Sequence, residues 1–402
     1  MEIARTFYLD RLRQFLTAPA IIAVVGLRRV GKSVLLSQFA NTLRPERQVV
    51  YVDKESLEFD DIRTARSLVD YVDSRTRAGE PRAVIVDEVQ QIDGWERAAA
   101  ALNGREHTKV IISGSNASLL AGELATRIAG RYVTLQVFPL TLGELGELHR
   151  LRGDDLDTDA LLQRYLRYGG LPGLMHTDLS DLVVTQMLQD IFSTIAVRDI
   201  IRRHRIRNVS LFEAVTQFAM DNVGSLVSAK RIADFLKSQR RATSVDTVLS
   251  YLAHLEEAFL VSAVHRFDLK GKKRLAVNHK YYLGDIGLRN GTIGYRHTDI
   301  GGLLENLVYL ELRRRGYDVT VGSAGGREID FVAQDRRGVV YVQVAYLLES
   351  QATIERELTA FSTLDDAYPR VLLSLDRHQP SDLAGVRHGS LTEFLLGGEL
   401  RA

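Results

Sequence analysis

The chain has 402 residues, 45% of them hydrophobic and 26% charged, which is enough length and apolar content for about two to four globular domains with cores of their own. It has no cysteine, which excludes disulfides, thiolate zinc sites and cysteine nucleophiles; its ten histidines show no metal-ligand spacing, and its net charge of +1 gives no global basic field. The apolar run Ala20 to Val25 is far shorter than the roughly 18 residues of a membrane span, and no signal-peptide pattern opens the chain, so a soluble, cytoplasmic protein that makes no membrane contact is expected.

In chain order, Met1 to Leu16 reads as an amphipathic helix with Ile3, Phe7, Leu12, Phe15 and Leu16 on one side, expected to pack against the first α/β domain. Next comes an apolar strand, Ile21 to Val25, and then Gly26-Leu27-Arg28-Arg29-Val30-Gly31-Lys32-Ser33, which fits the phosphate-loop pattern and opens a helix-like segment. Glycines at both ends let backbone N–H groups turn toward phosphates, Lys32 can reach the β and γ oxygens, and Ser33 can ligate Mg²⁺. The expected nucleotide contacts are Gly26, Arg28, Arg29, Val30, Gly31, Lys32, Ser33 and Val34, with plain solvent exposure the alternative for Arg28 and Arg29. Val49 to Asp53 is a second strand. A third, Ala83 to Val86, ends in Asp87-Glu88, which suits a Mg²⁺-holding aspartate beside a glutamate that orients and deprotonates the water attacking the γ-phosphate. A fourth, Lys109 to Ser113, ends in Gly114-Ser115-Asn116; Asn116 would sense the γ-phosphate if this strand lies between the other two, and is otherwise an ordinary turn residue. With Tyr132 to Val137, these strands alternate with helical segments and predict a parallel sheet over residues 1–147.

Residues 148–208 read as a small helical lid, with a linker at Arg152 to Asp159 and a break at Gly169-Gly170-Leu171-Pro172-Gly173. Over 209–278 the pattern is Leu211 to Met220, Ser228 to Leu236 and Ser244 to Ala258, followed by Phe259-Leu260-Val261. This resembles a winged helix-turn-helix, with Ser228 capping the second helix and Ser244 opening the groove-facing third. Asp246, Glu256 and Glu257 on the third helix oppose insertion between phosphates, so protein packing stands beside DNA contact as a role. Three basic clusters occur: Arg202-Arg203-His204-Arg205 with Arg207, Lys270 to Arg274, and Arg313 to Arg315. Solvated faces are the ordinary explanation for such runs.

Residues 279–402 return to α/β. A helix containing Leu304-Glu305-Asn306 precedes two expected strands, Arg327 to Val332 with Asp330 and Val339 to Tyr346 with Gln343. A helix glutamate, a strand-end aspartate and polar positions on the next strand resemble the core of restriction-endonuclease-type folds, in which acids bind Mg²⁺ and a lysine stabilises the attacking hydroxide. Here Gln343-Val344-Ala345 stands where that resemblance puts an acid-x-Lys triplet. Binding or assembly is therefore expected in place of cleavage.

With these residues, together with Ala129-Gly130-Arg131, Phe138-Pro139-Leu140, Tyr168 to Pro172 and Lys280-Tyr281-Tyr282, the chain resembles the AAA-type ATPases of archaea and bacteria that carry a C-terminal nuclease-like domain. The resemblance implies an α/β P-loop NTPase core with a helical lid, a winged helix-turn-helix and a restriction-endonuclease-like α/β domain. It further implies ATP and Mg²⁺ as ligands, a ring-forming homo-oligomer and work on branched or recombining DNA. A nucleotide-controlled switch acting on a protein partner is the alternative. Hydrolysis in such rings uses an arginine from the neighbouring subunit, for which Arg131 is the first candidate and Arg127 the second.

Overall fold

The computed structural model describes residues 2–77, 79–120, 131–154, 156–175, 180–376 and 380–400, and Arg127 with its neighbours Ala129 and Gly130 lies outside them. The chain forms two compact units, one over Glu2–Phe138 and one over Pro139–Glu256 with Leu260–Ala402.

The first unit begins with helix α1 (Thr6–Phe15), followed by β1 (Ile21–Val25), α2 (Lys32–Leu43), β2 (Gln48–Asp53), α3 (Ala65–Arg75), β3 (Arg82–Asp87), α4 (Trp95–Asn103), β4 (Thr108–Gly114) and β5 (Tyr132–Gln136). Its five strands form a parallel sheet in the order β2-β3-β4-β1-β5. Every residue of β1 and β3 is buried, as expected of strands covered on both faces, whose sequences are continuous apolar runs and not alternating ones. Along one face Ile21, Ala23, Val84, Val86, Val110 and Ile112 pack with Leu68, Val72, Trp95 and Leu102 from α3 and α4. Because β4 lies between β1 and β3, the loop after β1 and the polar ends of β3 and β4 reach the same edge of the sheet.

Helix α1 starts later than periodicity predicts, and its buried side chains are Tyr8 and Leu12, with Phe7, Phe15 and Leu16 only half-buried. The cause is polar. The Tyr8 hydroxyl accepts a hydrogen bond from Phe138 N at 3.1 Å, so its ring can be buried with its polar tip satisfied. Arg5, just before the helix, is 4% exposed and donates from Nη1 to the carbonyls of Val30 and Phe138.

The second unit opens with helices α5 (Leu142–Arg152), α6 (Thr158–Tyr168) and α7 (Asp181–Thr194), the last running into π-helical Ile195–Arg202. Then come α8 (Val209–Asp221), β6 (Leu226–Val227), α9 (Ala229–Ser238), α10 (Val245–Glu257), β7 (Val261–Asp268), β8 (Lys273–Leu283), α11 (Ile286–Ile293), α12 (Ile300–Arg315), β9 (Asp318–Ala324), β10 (Arg327–Asp335), β11 (Gly338–Val344), α13 (Gln351–Thr359), β12 (Arg370–Ser374), β13 (Asp382–Leu383), β14 (Val386–Ser390) and α14 (Leu391–Leu395). One sheet, in the order β13-β14-β12-β11-β10-β9-β7-β8-β6, runs through the sections that sequence separates at 278/279, because β7 pairs in parallel with β9. Strand β9 is an addition to the two strands expected around Asp330 and Gln343; its apolar alternation is cut short by Gly322 and Ser323.

The break between α6 and the turn at Pro172 is built around one buried carboxylate. Asp285 caps α11 by accepting from Leu288 N at 3.1 Å and also accepts from Gly170 N at 2.8 Å. Gly169 has φ of +71°, and a Cβ there would meet the Asp285 carboxylate, which is why glycine stands at this position. Burial pushes the Asp285 carboxyl up to about 6 against the opposing backbone hydrogen bonds.

Two charge expectations change. Arg314 and Arg315 pair with buried Glu311 at 2.6 and 2.7 Å, and Arg315 also donates to Phe394 O and Gly398 O, so Arg313 to Arg315 is a packed cluster and not an open basic face. On α10, Glu256 is held by Ala263 N at 2.5 Å, which turns it away from a groove-facing role. Among the described residues no helix is long and apolar enough to cross a membrane.

Candidate nucleotide site

The loop between β1 and α2 has a backbone that favours glycine at both ends. Gly26 has φ of +151° and a Cβ there would run into the Val137 carbonyl, while Gly31 has φ of +92°. Gly31 is the N-cap of α2, and no side chain caps that helix end. Its first N–H groups and the positive end of the helix dipole therefore face the loop, the standard provision for phosphate. Lys32 is 5% exposed and donates from Nζ to the carbonyls of Gly26 and Leu27 at 3.0 and 3.2 Å, so the ammonium is held within the loop's own curve. Val30 is buried, and its carbonyl is held by Arg5. Ser33 and Val34 are exposed at the mouth. Arg29 is exposed with φ of +70°, whereas Arg28 is mostly covered and pairs with Glu55 at 2.7 Å.

The acids at the end of β3 lie against this loop. Tyr51, on β2, donates to Ser33 O at 3.3 Å or to Asp87 Oδ2 at 3.4 Å, and so ties the start of α2 to the strand-end aspartate. Burial and the Asp87 and Asp53 carboxylates push its hydroxyl up. Asp87 is 1% exposed and also accepts from Ser113 Oγ. The same Ser113 hydroxyl receives Glu88 N at 3.0 Å, which fixes the turn in which Glu88 adopts the left-handed φ of +50°. Glu88 Oε2 accepts from Ser115 Oγ at 3.3 Å and from Gln90 Nε2. Asn116 is buried just beyond Ser115. Thus Lys32, Ser33, Asp87 and Glu88 gather at one sheet edge, with Ser115 and Asn116 beside them; Arg131 is exposed immediately before β5, where its carbonyl receives Ile21 N.

Tyr51, Arg5, Ser113 and Gln90 are the contributors that sequence reasoning passed over. Tyr51 alternates outward from a half-buried strand, a detectable signal, whereas nothing near Arg5 in sequence marks it as a neighbour of Val30.

The C-terminal acids also converge. Glu305 on α12 and Asp330 on β10 meet at Lys280 of β8, whose Nζ lies 2.6 Å from Glu305 Oε1, 3.1 Å from Asp330 Oδ1 and 2.8 Å from Glu328 Oε1. Gln343 joins through its amide: Oε1 accepts from Asp330 N at 3.2 Å and Nε2 donates to Glu357 Oε2 at 3.0 Å. Tyr282 donates to Glu305 Oε1. Burial, with Asp330 adding to it, pushes Glu305 up, and Lys280 and Tyr282 oppose the shift. Lys280 and Tyr282 stood out in the sequence only as part of the run Lys280-Tyr281-Tyr282, and neither they nor Glu328 were expected among these acids; only the fold brings β8 against α12 and β10.

The sheet order and the loop define the first unit as an α/β P-loop NTPase core of the AAA type. Residues 18–146 match the AAA domain family, and residues 159–299 match a domain of unknown function, DUF8612. An uncharacterized protein of Haemophilus influenzae is 33% identical over 399 residues, covering 98% of both chains, and the chain belongs to that protein's family. A second uncharacterized relative, from Methanocaldococcus jannaschii, is 26% identical over 357 residues, covering 85% of this chain and 78% of its own. Among solved structures, a Walker-type ATPase of Pyrococcus abyssi shares the fold with a TM-score of 0.52 at 16% identity, over 72% of this chain and 95% of its own.

Proposed function

We propose that this protein is a Mg²⁺-dependent ATPase whose hydrolysis drives an oligomeric machine acting on branched or recombining DNA. The observation that carries the ATPase reading is the Tyr51 hydroxyl lying within 3.4 Å of both Ser33 O and Asp87 Oδ2, because it sets the loop serine beside the strand-end acid. Ser33 and Asp87 would hold Mg²⁺, which supplies charge neutralisation at the β and γ phosphates. Gly26 to Val34 cradle the phosphates through backbone N–H groups, with Lys32 exchanging its loop carbonyls for phosphate oxygens. Glu88, held by Ser115 and Gln90, orients and deprotonates the attacking water. Asn116 senses the γ-phosphate. Arg131 is exposed and completes the site of a neighbouring copy in a ring, a contribution of roughly 10³ to 10⁵ in rate.

The DNA reading rests on the section from α8 to β8. Its helix, short strand, two helices and antiparallel β7–β8 hairpin follow the order of a winged helix-turn-helix. Exposed Lys237, Arg240 and Arg241 precede α10, and Lys270, Lys272, Lys273 and Arg274 lie at the hairpin tip. These are positions from which such a module meets the phosphate backbone. The α12–β14 section, with Glu305, Asp330 and Gln343, binds DNA or a neighbouring copy in this reading and does not cleave. The alternative, a nucleotide-controlled switch for a protein partner, is favoured by exposed Asp246 at the start of α10, which opposes insertion between phosphates. Turnover measured for wild type, Lys32→Ala and Glu88→Gln tests the ATPase: Lys32→Ala should lose binding, and Glu88→Gln should bind ATP but hydrolyse it at least about 10²-fold more slowly. Full turnover by Glu88→Gln would sink the assignment.

A further inference from the structure

The nuclease-type resemblance implies a divalent metal between Glu305 and Asp330, and the residues present do not fit one. Lys280 is 2% exposed, and its three N–H donors have three carboxylate partners: Glu305 at 2.6 Å, Glu328 at 2.8 Å and Asp330 at 3.1 Å. An ammonium has three donors and no acceptor, so this donor set is used completely. The acids are committed as well. Asp330 Oδ2 accepts from Val344 N at 3.0 Å, and Glu305 Oε1 accepts from Tyr282 in addition to Lys280. Glu305 Oε2 lies over Gly224, where even a Cβ would come within 3.1 Å. The amide of Gln343, a weak ligand for Mg²⁺, is spent between Asp330 N and Glu357.

We propose that the Lys280 ammonium is the resident cation of this acid cluster: it takes the metal's position between Glu305 and Asp330, excludes divalent ions, and ties β8 to α12 and β10. The absent acid-x-Lys triplet on β11 and the buried lysine on β8 are then one change. Positive charge comes from the neighbouring strand, and the carboxylates become an ion-pair latch. Lys280 faces Leu226 of β6 in the sheet register, so the latch fastens the strand pair formed by β6 and β8 to the helix and strand carrying the acids. This inference concerns the C-terminal acids alone and holds whether or not the ATPase acts on DNA.

Mn²⁺ binding to the full-length, nucleotide-free protein, followed by the loss of the free-ion paramagnetic resonance signal, is the test. All variants are made in a Ser33→Ala/Asp87→Asn background, so that the nucleotide site contributes no metal. The background protein should bind no Mn²⁺ at the acid cluster, so adding Asp330→Asn should change nothing, whatever is taken up by the separate group His204, His254 and Glu257, which could hold a metal ion. Adding Lys280→Met should create one site, tighter by at least an order of magnitude and removed by Asp330→Asn. Mn²⁺ bound without the lysine change and lost with Asp330→Asn would overturn the proposal, as would a folded Lys280→Met protein that gains no site. If Lys280→Met alone fails to fold, Lys280→Met with Glu328→Gln removes the lysine and the one acid partner outside the Glu305–Asp330 pair. That protein should fold and bind Mn²⁺ through Glu305 and Asp330, and its failure to do either overturns the proposal.

Discussion

Asp285 gives a pH dependence whose sign and size both follow from its surroundings. Its carboxyl is 3% exposed and is pushed up by burial to about 6 from a reference of 3.8. Because the folded value lies above the unfolded one, the folded state binds the proton more tightly. Stability relative to an uncharged residue is therefore undiminished below about pH 4, falls between about 4 and 6, and is flat above that. The gap of about two pH units corresponds to about 3 kcal/mol at 1.36 kcal/mol per unit. Asp285→Asn isolates this quantity. Gly170 N and Leu288 N bind different oxygens of Asp285, and an amide keeps only one of the two acceptors; that loss is the same at every pH, so the pH-dependent part of the difference reports the charge that only aspartate acquires. Urea unfolding of both proteins from pH 4 to pH 7, followed by a probe in the second unit, should show wild type losing about 2 kcal/mol relative to Asp285→Asn, the rest of the gap being lost by pH 4. All other titrating groups cancel in the difference. A pH-independent difference, or wild type gaining as pH rises, would refute the reasoning that burial dominates the backbone hydrogen bonds from Gly170, Leu288 and Gly287.

Gly26→Ala should lower both stability and ATP affinity, because its Cβ meets the Val137 carbonyl at a φ of +151°; strain of this kind costs about 1–3 kcal/mol, readable as a lowered Tm and a raised Kd for ATP. Glu311→Leu leaves Arg314 and Arg315 without their shared buried carboxylate and should destabilise by about 3 kcal/mol, the low end for breaking a buried pair, since Arg315 keeps its carbonyl partners; calorimetry checks this. Arg5→Met should leave Lys32 and Glu88 intact but weaken ATP binding, because the Val30 and Phe138 carbonyls lose their common donor; an unchanged Kd would show that the loop holds its shape without it. Tyr51→Phe should raise the Mg²⁺ concentration needed for half-maximal turnover, because the hydroxyl lies against Asp87; an unshifted Mg²⁺ dependence would mean that the tyrosine only packs.

The parallel core was legible because buried strands write themselves as uninterrupted apolar runs, and Val84-Ile85-Val86 before Asp87 cannot be read otherwise. The loop was legible because its geometry demands glycine at positions 26 and 31. Of the face expected for the first helix, Ile3 and Leu12 are buried and Phe7, Phe15 and Leu16 half-buried; Tyr8 was missed, since a tyrosine with a satisfied hydroxyl outranks Phe7 and Phe15, and no periodicity scale knows that Phe138 N will supply the partner. Arg313 to Arg315 looked like an open basic run because Glu311, its buried counter-charge, lies one turn back on the same helix. The largest omission, Lys280 among Glu305, Glu328 and Asp330, was invisible for a physical reason: the lysine is 25 residues from one partner and 50 from another, and only the pairing of β7 with β9 brings their strands together. Strand β9 went unseen because Gly322 and Ser323 blunt its alternation.

The most direct test of the central claim is ATP hydrolysis by wild type and Glu88→Gln without DNA and with linear duplex, single strand and a four-way junction. The account predicts that branched DNA stimulates wild-type turnover most and that Glu88→Gln abolishes the stimulation while still binding ATP. Steady basal turnover unchanged by any of the three DNA forms would contradict a DNA-directed machine and leave the nucleotide-controlled switch as the reading of this chain.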